Sequence, residues 1–107
     1  MIDQYAVYWV DLNPTRGVKI NKVRPCVVIS PPEMNDHLKT IIIAPVTSQG
    51  REGYPTRTKM QVGSVTGWVV LDQIRAIDKN RLCDRVGQLS DEEISLVKEI
   101  IREMLVD

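Results

Sequence analysis

The sequence lacks the features that mark secreted, membrane-spanning and disordered chains. Its longest apolar run, Ile41 to Val46, contains a proline and is far shorter than the ~20 residues that a bilayer-spanning helix needs. Its first residues lack the basic start and apolar stretch of a secretion signal. Hydrophobic residues make up 43% of the 107 and charged residues 26%, which is ordinary for a soluble domain. We therefore expect a single cytoplasmic domain, residues 1–107, that does not bind membranes.

Cysteine and histidine are also scarce, with two Cys and one His. Two sulfurs without a nearby His do not make a zinc site, and in a reducing compartment they are expected to be free thiols. Cys26 lies in an apolar run typical of a buried strand, whereas Cys83 lies in a polar stretch and should be partly exposed. His37 stands in another polar run, where a solvated loop His is favoured over a general base. We predict no metal and no cofactor.

The chain has no net charge, since 14 basic residues face 14 acidic ones. The charges are nevertheless unevenly placed: residues 1–59 carry a net charge of +3 and residues 60–107 a net charge of −3. One basic cluster has four members with no acid among them: Arg16, Lys19, Lys22 and Arg24. Such a cluster can contact phosphates. Charge alone still favours a solvated loop, because four cations are fewer than a typical nucleic-acid footprint offers.

Short apolar segments separated by turn residues indicate an antiparallel sheet rather than βαβ units. The predicted strands cover residues 5–12, 23–30, 40–46, 60–62, 67–77 and 85–89. Residues 63–66, Gly-Ser-Val-Thr, suit a hairpin or a tight corner between two of them. Ser90 and Glu93 form a capping-box pattern, after which apolar residues recur at helical spacing. The predicted fold class is α+β, a small curled antiparallel sheet with a C-terminal amphipathic helix.

Several motifs occur in order along almost the whole chain. They are YWVDLNPTRG (8–17), RPCVVIS (24–30), APVTS (44–48), LDQIR (71–75) and RVGQLS (85–90). Together they resemble the MazF/PemK family of toxin endoribonucleases from bacterial toxin–antitoxin pairs. The resemblance implies an SH3-like antiparallel barrel, a symmetric homodimer, metal-independent cleavage of single-stranded RNA, and inhibition by a cognate antitoxin.

The resemblance also implies which residues act. Arg24 stands where the family has a catalytic Arg before Pro, and Thr47 where it has the Thr of a Pro-x-Thr-Ser turn. Both would stabilise negative charge while a ribose 2′-OH attacks the adjacent phosphorus, giving 2′,3′-cyclic phosphate and 5′-OH ends. The loop from Asn13 to Val23 would close over the RNA. The residues assigned to RNA binding are Thr15, Arg16, Gly17, Lys19, Ser48, Asp72 and Gln73.

The residues carrying the proton transfers are left open. An Arg with a pKa above ~12 is a poor base at neutral pH. Asp72 is a candidate base if it faces the phosphate, although a salt bridge or a turn role is slightly favoured. The sequence also departs from the family pattern. Many members have a Ser or His followed by Glu-Gln at the positions where this chain has Val18-Lys19-Ile20. One branch has an Arg at the position of Val70. The catalytic set of that branch therefore does not transfer.

Two other functional classes remain as alternatives. One is a non-enzymatic toxin of the same fold that binds DNA gyrase, which has no reason to keep both Arg24 and Thr47. The other is an SH3-like interaction module. Such grooves use aromatic walls for Pro-rich ligands, and this chain has two Trp, three Tyr and no Phe.

Overall fold

The computed structural model describes residues 1–13, 22–50 and 53–107, which form seven strands and two α-helices. The strands are β1 Ala6–Asp11, β2 Val23–Val28, β3 Thr40–Thr47, β4 Arg57–Val62, β5 Val65–Val70, β6 Arg75–Asp78 and β7 Leu82–Gln88. The helices are α1 Pro32–His37 and α2 Asp91–Ile101, and a π-helical turn, Arg102–Val106, follows α2. Single 3₁₀ turns at Leu71–Gln73 and Lys79–Arg81 flank β6.

The strands form one curled antiparallel sheet in the order β4-β5-β3-β2-β1-β7, with β6 paired to β3. β3 is the organising strand because it changes partner along its length. Residues 40–43 pair with β6, whereas Val46 and Thr47 pair with β5. Pro45, which has no N–H to donate, lies between these two ladders, where the sheet bends. The curled sheet with a C-terminal helix confirms the predicted α+β class.

Alternation along the strands gives the sheet two apolar faces. On one face, Val7 and Val27 belong to a cluster that also contains Val97 of α2. On the other face, Tyr8 and Cys26 belong to a second cluster with Ile43. Residues of both clusters are at most 9% exposed. The sheet is therefore packed on both sides, and its exposed polar side chains lie at its edges and its bend.

The start of α2 is the predicted capping box. The Glu93 amide donates to Ser90 Oγ at 3.2 Å, and the Ser90 amide donates to Glu93 Oε1 at 2.8 Å. The second carboxylate oxygen of Glu93 accepts from the Gln61 amide at 2.7 Å, which ties the helix to β4. The Glu93 carboxylate therefore accepts hydrogen bonds from two amides, and its negative charge also interacts favourably with the positive end of the helix dipole.

Two elements differ from the prediction. Residues 67–77 are not one strand: β5 ends at Val70, a 3₁₀ turn follows, and β6 begins at Arg75. The predicted hairpin is present, and Gly63 takes a φ of +56° in its turn. Helix α1 was not predicted, and His37 is its last residue rather than a loop residue, although it is exposed as expected.

The two cysteines behave as predicted. Cys26 is buried and Cys83 is exposed, and both are free thiols. Within the described ranges, no helix has the length and apolar character to cross a membrane.

Candidate active site

An open pocket of about 370 Å³ lies at the bend of β3. Its lining comes from the end of β1, the start of β2, the middle of β3 and the turn into β6: Leu12, Lys22, Arg24, Pro45, Gln73 and Arg75. Three of these six side chains are cationic and none is acidic. The pocket is therefore suited to an anionic group.

The sheet register brings the predicted catalytic pair to this bend. The pairing of β2 with β3 ends at Cys26 and Pro45, toward the start of β2 and the end of β3. Arg24 and Thr47 each lie two residues beyond that pair, at the same end of the two strands. Because side chains two residues apart share a face, Arg24 and Thr47 lie on the face of Pro45. On the other side of β3, Arg75 pairs with Ile43 on this same face.

Arg24 and Arg75 are the two arginines in the pocket lining. Among the described residues, neither Arg24 nor Arg75 forms an ion pair with a carboxylate. Burial raises the pKa of the Cys26 thiol to about 12, while the charges of Arg75 and Arg24 oppose that rise. The thiol stays protonated at neutral pH and is no nucleophile. No carboxylate of the described residues engages the two guanidinium groups, which suits them to an anionic ligand.

Thr47 is half-buried and has a defined hydroxyl environment. Its Oγ1 accepts a hydrogen bond from the Gln49 amide at 3.2 Å. Since the acceptor side is engaged by an amide, the O–H is left to donate elsewhere. Ser48, the next residue, is exposed. Thr47 is not itself a lining residue of the pocket, but it lies two positions along β3 from Pro45, which is.

Asp72 faces away from the pocket lining, toward β4. Its Oδ1 accepts from Thr56 Oγ1 at 2.9 Å and from Arg57 Nε at 3.3 Å. Desolvation raises the pKa of Asp72, but the hydrogen bonds from Arg57 and Thr56 outweigh it and leave the pKa below its ordinary value. The salt-bridge role that the sequence favoured is therefore present. A carboxylate with a lowered pKa is a weakened base.

Four residues assigned to RNA binding, Thr15, Arg16, Gly17 and Lys19, lie outside the described residues. The residues that flank them are bonded to one another. The Leu12 amide donates to the Lys22 carbonyl at 2.8 Å, and the Lys22 amide donates to Asn13 Oδ1 at 3.2 Å. The Arg81 guanidinium donates to the carbonyls of Asp11 and Asn13. These bonds tie Leu12 and Asn13 to Lys22, and both Leu12 and Lys22 line the pocket.

Of the predicted RNA-binding residues that the structure describes, Ser48, Asp72 and Gln73, only Gln73 lies in the pocket lining. Arg75 and Lys22 line it as well, although the sequence analysis assigned a site role to neither. No local signal marked Arg75 as a pocket residue, because its place there depends on the pairing of β6 with β3. Among the described residues, no group of three or more His, Cys, Asp or Glu could hold a metal ion.

Comparison with known proteins identifies relatives over nearly the whole chain. Residues 3–105 match the model of the PemK-like, MazF-like toxins of type II toxin–antitoxin systems. Endoribonuclease EndoA of Bacillus subtilis is 34% identical over 101 residues, covering 90% of this chain and 87% of its own. Endoribonuclease MazF of Staphylococcus saprophyticus is 31% identical over 106 residues, covering 94% and 88%.

Solved structures agree with this fold. A mycobacterial endoribonuclease in complex with its cognate antitoxin superimposes with a TM-score of 0.83 at 22% identity, over 98% of this chain and 95% of that one. MazF of Deinococcus radiodurans gives a TM-score of 0.80 at 24% identity, over 97% and 96%. The curated relatives, both named endoribonucleases, confirm the predicted endoribonuclease over the gyrase-binding and SH3-module alternatives. The chain belongs to the PemK/MazF-like toxin family of type II toxin–antitoxin systems.

Proposed function

We propose that the pocket at the bend of β3 binds the scissile phosphate of single-stranded RNA, and that the chain cleaves RNA by internal attack of the 2′-OH. The observation that carries this proposal is the pair Arg24 and Arg75, which line one pocket without an acidic partner among the described residues. A phosphodiester supplies the anion that such a pair lacks, and guanidinium groups bind its oxygens with two parallel hydrogen bonds.

The reaction requires charge stabilisation at the phosphorus. The 2′ oxygen forms a bond to phosphorus as the bond to the 5′ oxygen breaks, so that a 2′,3′-cyclic phosphate and a 5′-OH result. The proton leaves the 2′-OH, and another proton reaches the departing 5′ oxygen. Negative charge accumulates on the non-bridging oxygens in between. Arg24 and Arg75 neutralise that charge, and the Thr47 hydroxyl donates to it.

Asp72 is not assigned the base role. Its carboxylate is engaged by Thr56 and Arg57, and its pKa is lowered. We assign it instead to holding the turn Leu71–Gln73, so that Gln73 reaches the pocket and can contact a base edge or the ribose. Ser48, exposed beside Thr47, is the second polar side chain available for recognition. Thr15, Arg16, Gly17 and Lys19 remain proposed RNA contacts.

The partner of a toxin of this family is an antitoxin, and one solved structural neighbour is described in complex with its own. We propose that the partner of this chain carries an acidic, partly apolar segment that occupies the cationic pocket and so competes with RNA. We also propose a homodimer, because a domain of this size gains stability by burying further apolar surface against a second copy. Sedimentation should show a dimer at micromolar concentration, and a monomer would contradict it.

The nucleophile is tested with a modified substrate. An RNA carrying a single 2′-deoxyribose at the nucleotide 5′ to the cut should bind normally and remain uncut there, while its other sites are cleaved. The matched control carries the same substitution one nucleotide further away and should be cleaved at the parental rate. Cleavage of the deoxy-substituted site would show that an external nucleophile attacks and would overturn the proposed mechanism.

A further inference from the structure

Trp68 lies directly beside the proposed hydroxyl donor. It is the residue of β5 that pairs with Thr47 of β3, and Lys59 pairs with it from β4. Its ring is half-buried, and the Lys59 ammonium lies 5.2 Å from the ring centroid. Trp68 belongs to neither of the two apolar clusters formed by the described residues. Core packing therefore does not account for this large side chain.

Gly50 lies directly on the Trp68 indole. A Cβ atom built at Gly50 would overlap the pyrrole part of the ring, at Cδ1, Cγ and Nε1. The φ angle of Gly50 is outside the left-handed region, so the requirement at this position is space and not conformation. The backbone that follows Thr47 is thus seated against the ring at a distance that only glycine permits.

A second close approach fixes the other side of Thr47. A Cβ atom at Gly67 would come within 2.5 Å of the Thr47 carbonyl oxygen and 2.9 Å of Val46 Cγ1. The β5 backbone therefore lies tightly against β3 at this residue. Between Thr47 and Gly50, the Gln49 amide donates to Thr47 Oγ1. The amide that holds the Thr47 hydroxyl therefore depends for its position on the contact between Gly50 and the Trp68 ring.

We propose that Trp68 and Gly50 are positioning residues for Thr47. The contact between ring and glycine fixes residues 48–50, so that the Gln49 amide occupies the acceptor side of Thr47 Oγ1 and the O–H is directed to the phosphate. This inference rests on the proposed function, in which Thr47 donates to the reacting phosphate. Trp68 is not assigned to stack an RNA base, because Gly50 already covers part of the ring and Lys59 lies over it.

The test compares Gly50→Ala with Thr47→Ala, singly and combined, in two measurements. Single-turnover cleavage gives the rate of the chemical step, and affinity for the uncleavable deoxy-substituted RNA reports binding alone. Gly50→Ala should lower the cleavage rate by about 10²-fold, the effect expected of a misplacement near 1 Å. Its affinity for the uncleavable RNA should stay within about threefold of the parent. Added to Thr47→Ala, it should cause no further loss, because the group that it misplaces is already gone.

Gly87→Ala is the matched control. A Cβ there would meet Val62 Cγ1 at 2.7 Å, which is also too close, but it lies on β7 away from the pocket. It should lower the midpoint of thermal unfolding and leave the cleavage rate of the folded protein unchanged. A purely structural effect of Gly50→Ala would follow the same pattern. Trp68→Phe, which keeps a flat ring, should retain more activity than Trp68→Ala.

Four outcomes would overturn the inference. A Gly50→Ala protein that cleaves at the parental rate shows that the contact between Gly50 and the Trp68 ring does not matter for catalysis. An equal loss with and without Thr47 shows that Gly50 acts elsewhere. A Trp68→Ala protein with weakened affinity for uncleavable RNA shows that the ring contacts RNA. If Thr47→Ala itself cleaves at the parental rate, the proposed role of Thr47 is wrong and the inference fails with it. If Thr47→Ala is slow and Gly50→Ala is not, only the inference fails.

Discussion

Arg24 and Arg57 flank the same turn, Leu71–Gln73, in two different electrostatic settings. Arg57 bonds to Asp72 at 3.3 Å, stacks 4.9 Å from the centroid of Tyr54, and its side chain is only 22% exposed. Arg24 is exposed, lines the pocket with Gln73, and pairs with no carboxylate of the described residues. The two arginines are thus assigned different roles, Arg57 in the structure and Arg24 in ligand binding. The charge of one is already satisfied within the protein, whereas that of the other is left for a ligand.

The largest effect is expected from Arg24→Ala. Removing a donor to the developing oxyanion lowers the cleavage rate by about 10²–10³-fold or more. Because Arg24 is exposed and pairs with no carboxylate of the described residues, the free energy of unfolding should change by no more than about 0.5 kcal/mol. Arg57→Ala is the control and should show the reverse, a cleavage rate within a few-fold of the parent and a measurable loss of stability. Single-turnover cleavage and urea unfolding of both variants make the comparison.

An exchange of these two patterns would break the comparison. If Arg57→Ala lost the rate and Arg24→Ala only the stability, then pairing with an acid would not distinguish structural from catalytic arginines in this protein. The site would have to move from the pocket to the β4 side of the turn.

A smaller effect is expected from Arg75→Ala. A charge-assisted hydrogen bond contributes about 1.5–3 kcal/mol, so its loss from the transition state lowers the cleavage rate by roughly 10–10²-fold. Arg75→Lys should recover only part of this rate, because an ammonium group does not form the paired hydrogen bonds of a guanidinium. The measurement is the single-turnover rate at saturating RNA. A parental rate for Arg75→Ala would restrict catalysis to Arg24 and Thr47.

The smallest effect concerns Asp72 and pH. Its hydrogen bonds from Arg57 and Thr56 lower its pKa in the folded chain relative to the ordinary value of 3.8. Its contribution to stability is therefore present above that value and is lost as pH falls through the lowered pKa. For an ion pair at the protein surface it should be about 0.2–1 kcal/mol. Urea unfolding of the parent and Asp72→Asn should differ by this amount at pH 7 and converge in acid, and a constant difference would contradict the assignment.

The elements that local sequence determines were predicted. The Ser90 and Glu93 pair predicted the start of α2 because a capping box involves only residues three positions apart. Helix α1 was missed because a distant contact stabilises it. The Asn35 side-chain amide donates to the carbonyls of Ser30 and Ile2, 33 residues away in the second case, and Asn35 is buried. A buried polar residue with such partners leaves no apolar periodicity to detect.

The site was predictable only in part, for the same reason. Arg24 and Thr47 were assigned through the family resemblance, since on their own an ion-pair partner and a turn hydroxyl would be the default interpretations. Arg75 was missed because its place in the pocket depends on the pairing of β6 with β3. The apolar run over residues 67–77 hid the break between β5 and β6. That break follows from the change of partner along β3, which no local pattern encodes.

The central claim is that cations of the protein stabilise attack by the RNA's own 2′-OH. The most direct measurement is incubation of the purified protein with a long RNA in EDTA, followed by chemical mapping of both ends at each cut. We expect undiminished cleavage with 5′-OH and 2′,3′-cyclic phosphate ends. Cleavage that occurs only after a divalent metal is restored, or that leaves 5′-phosphate ends, would contradict the account.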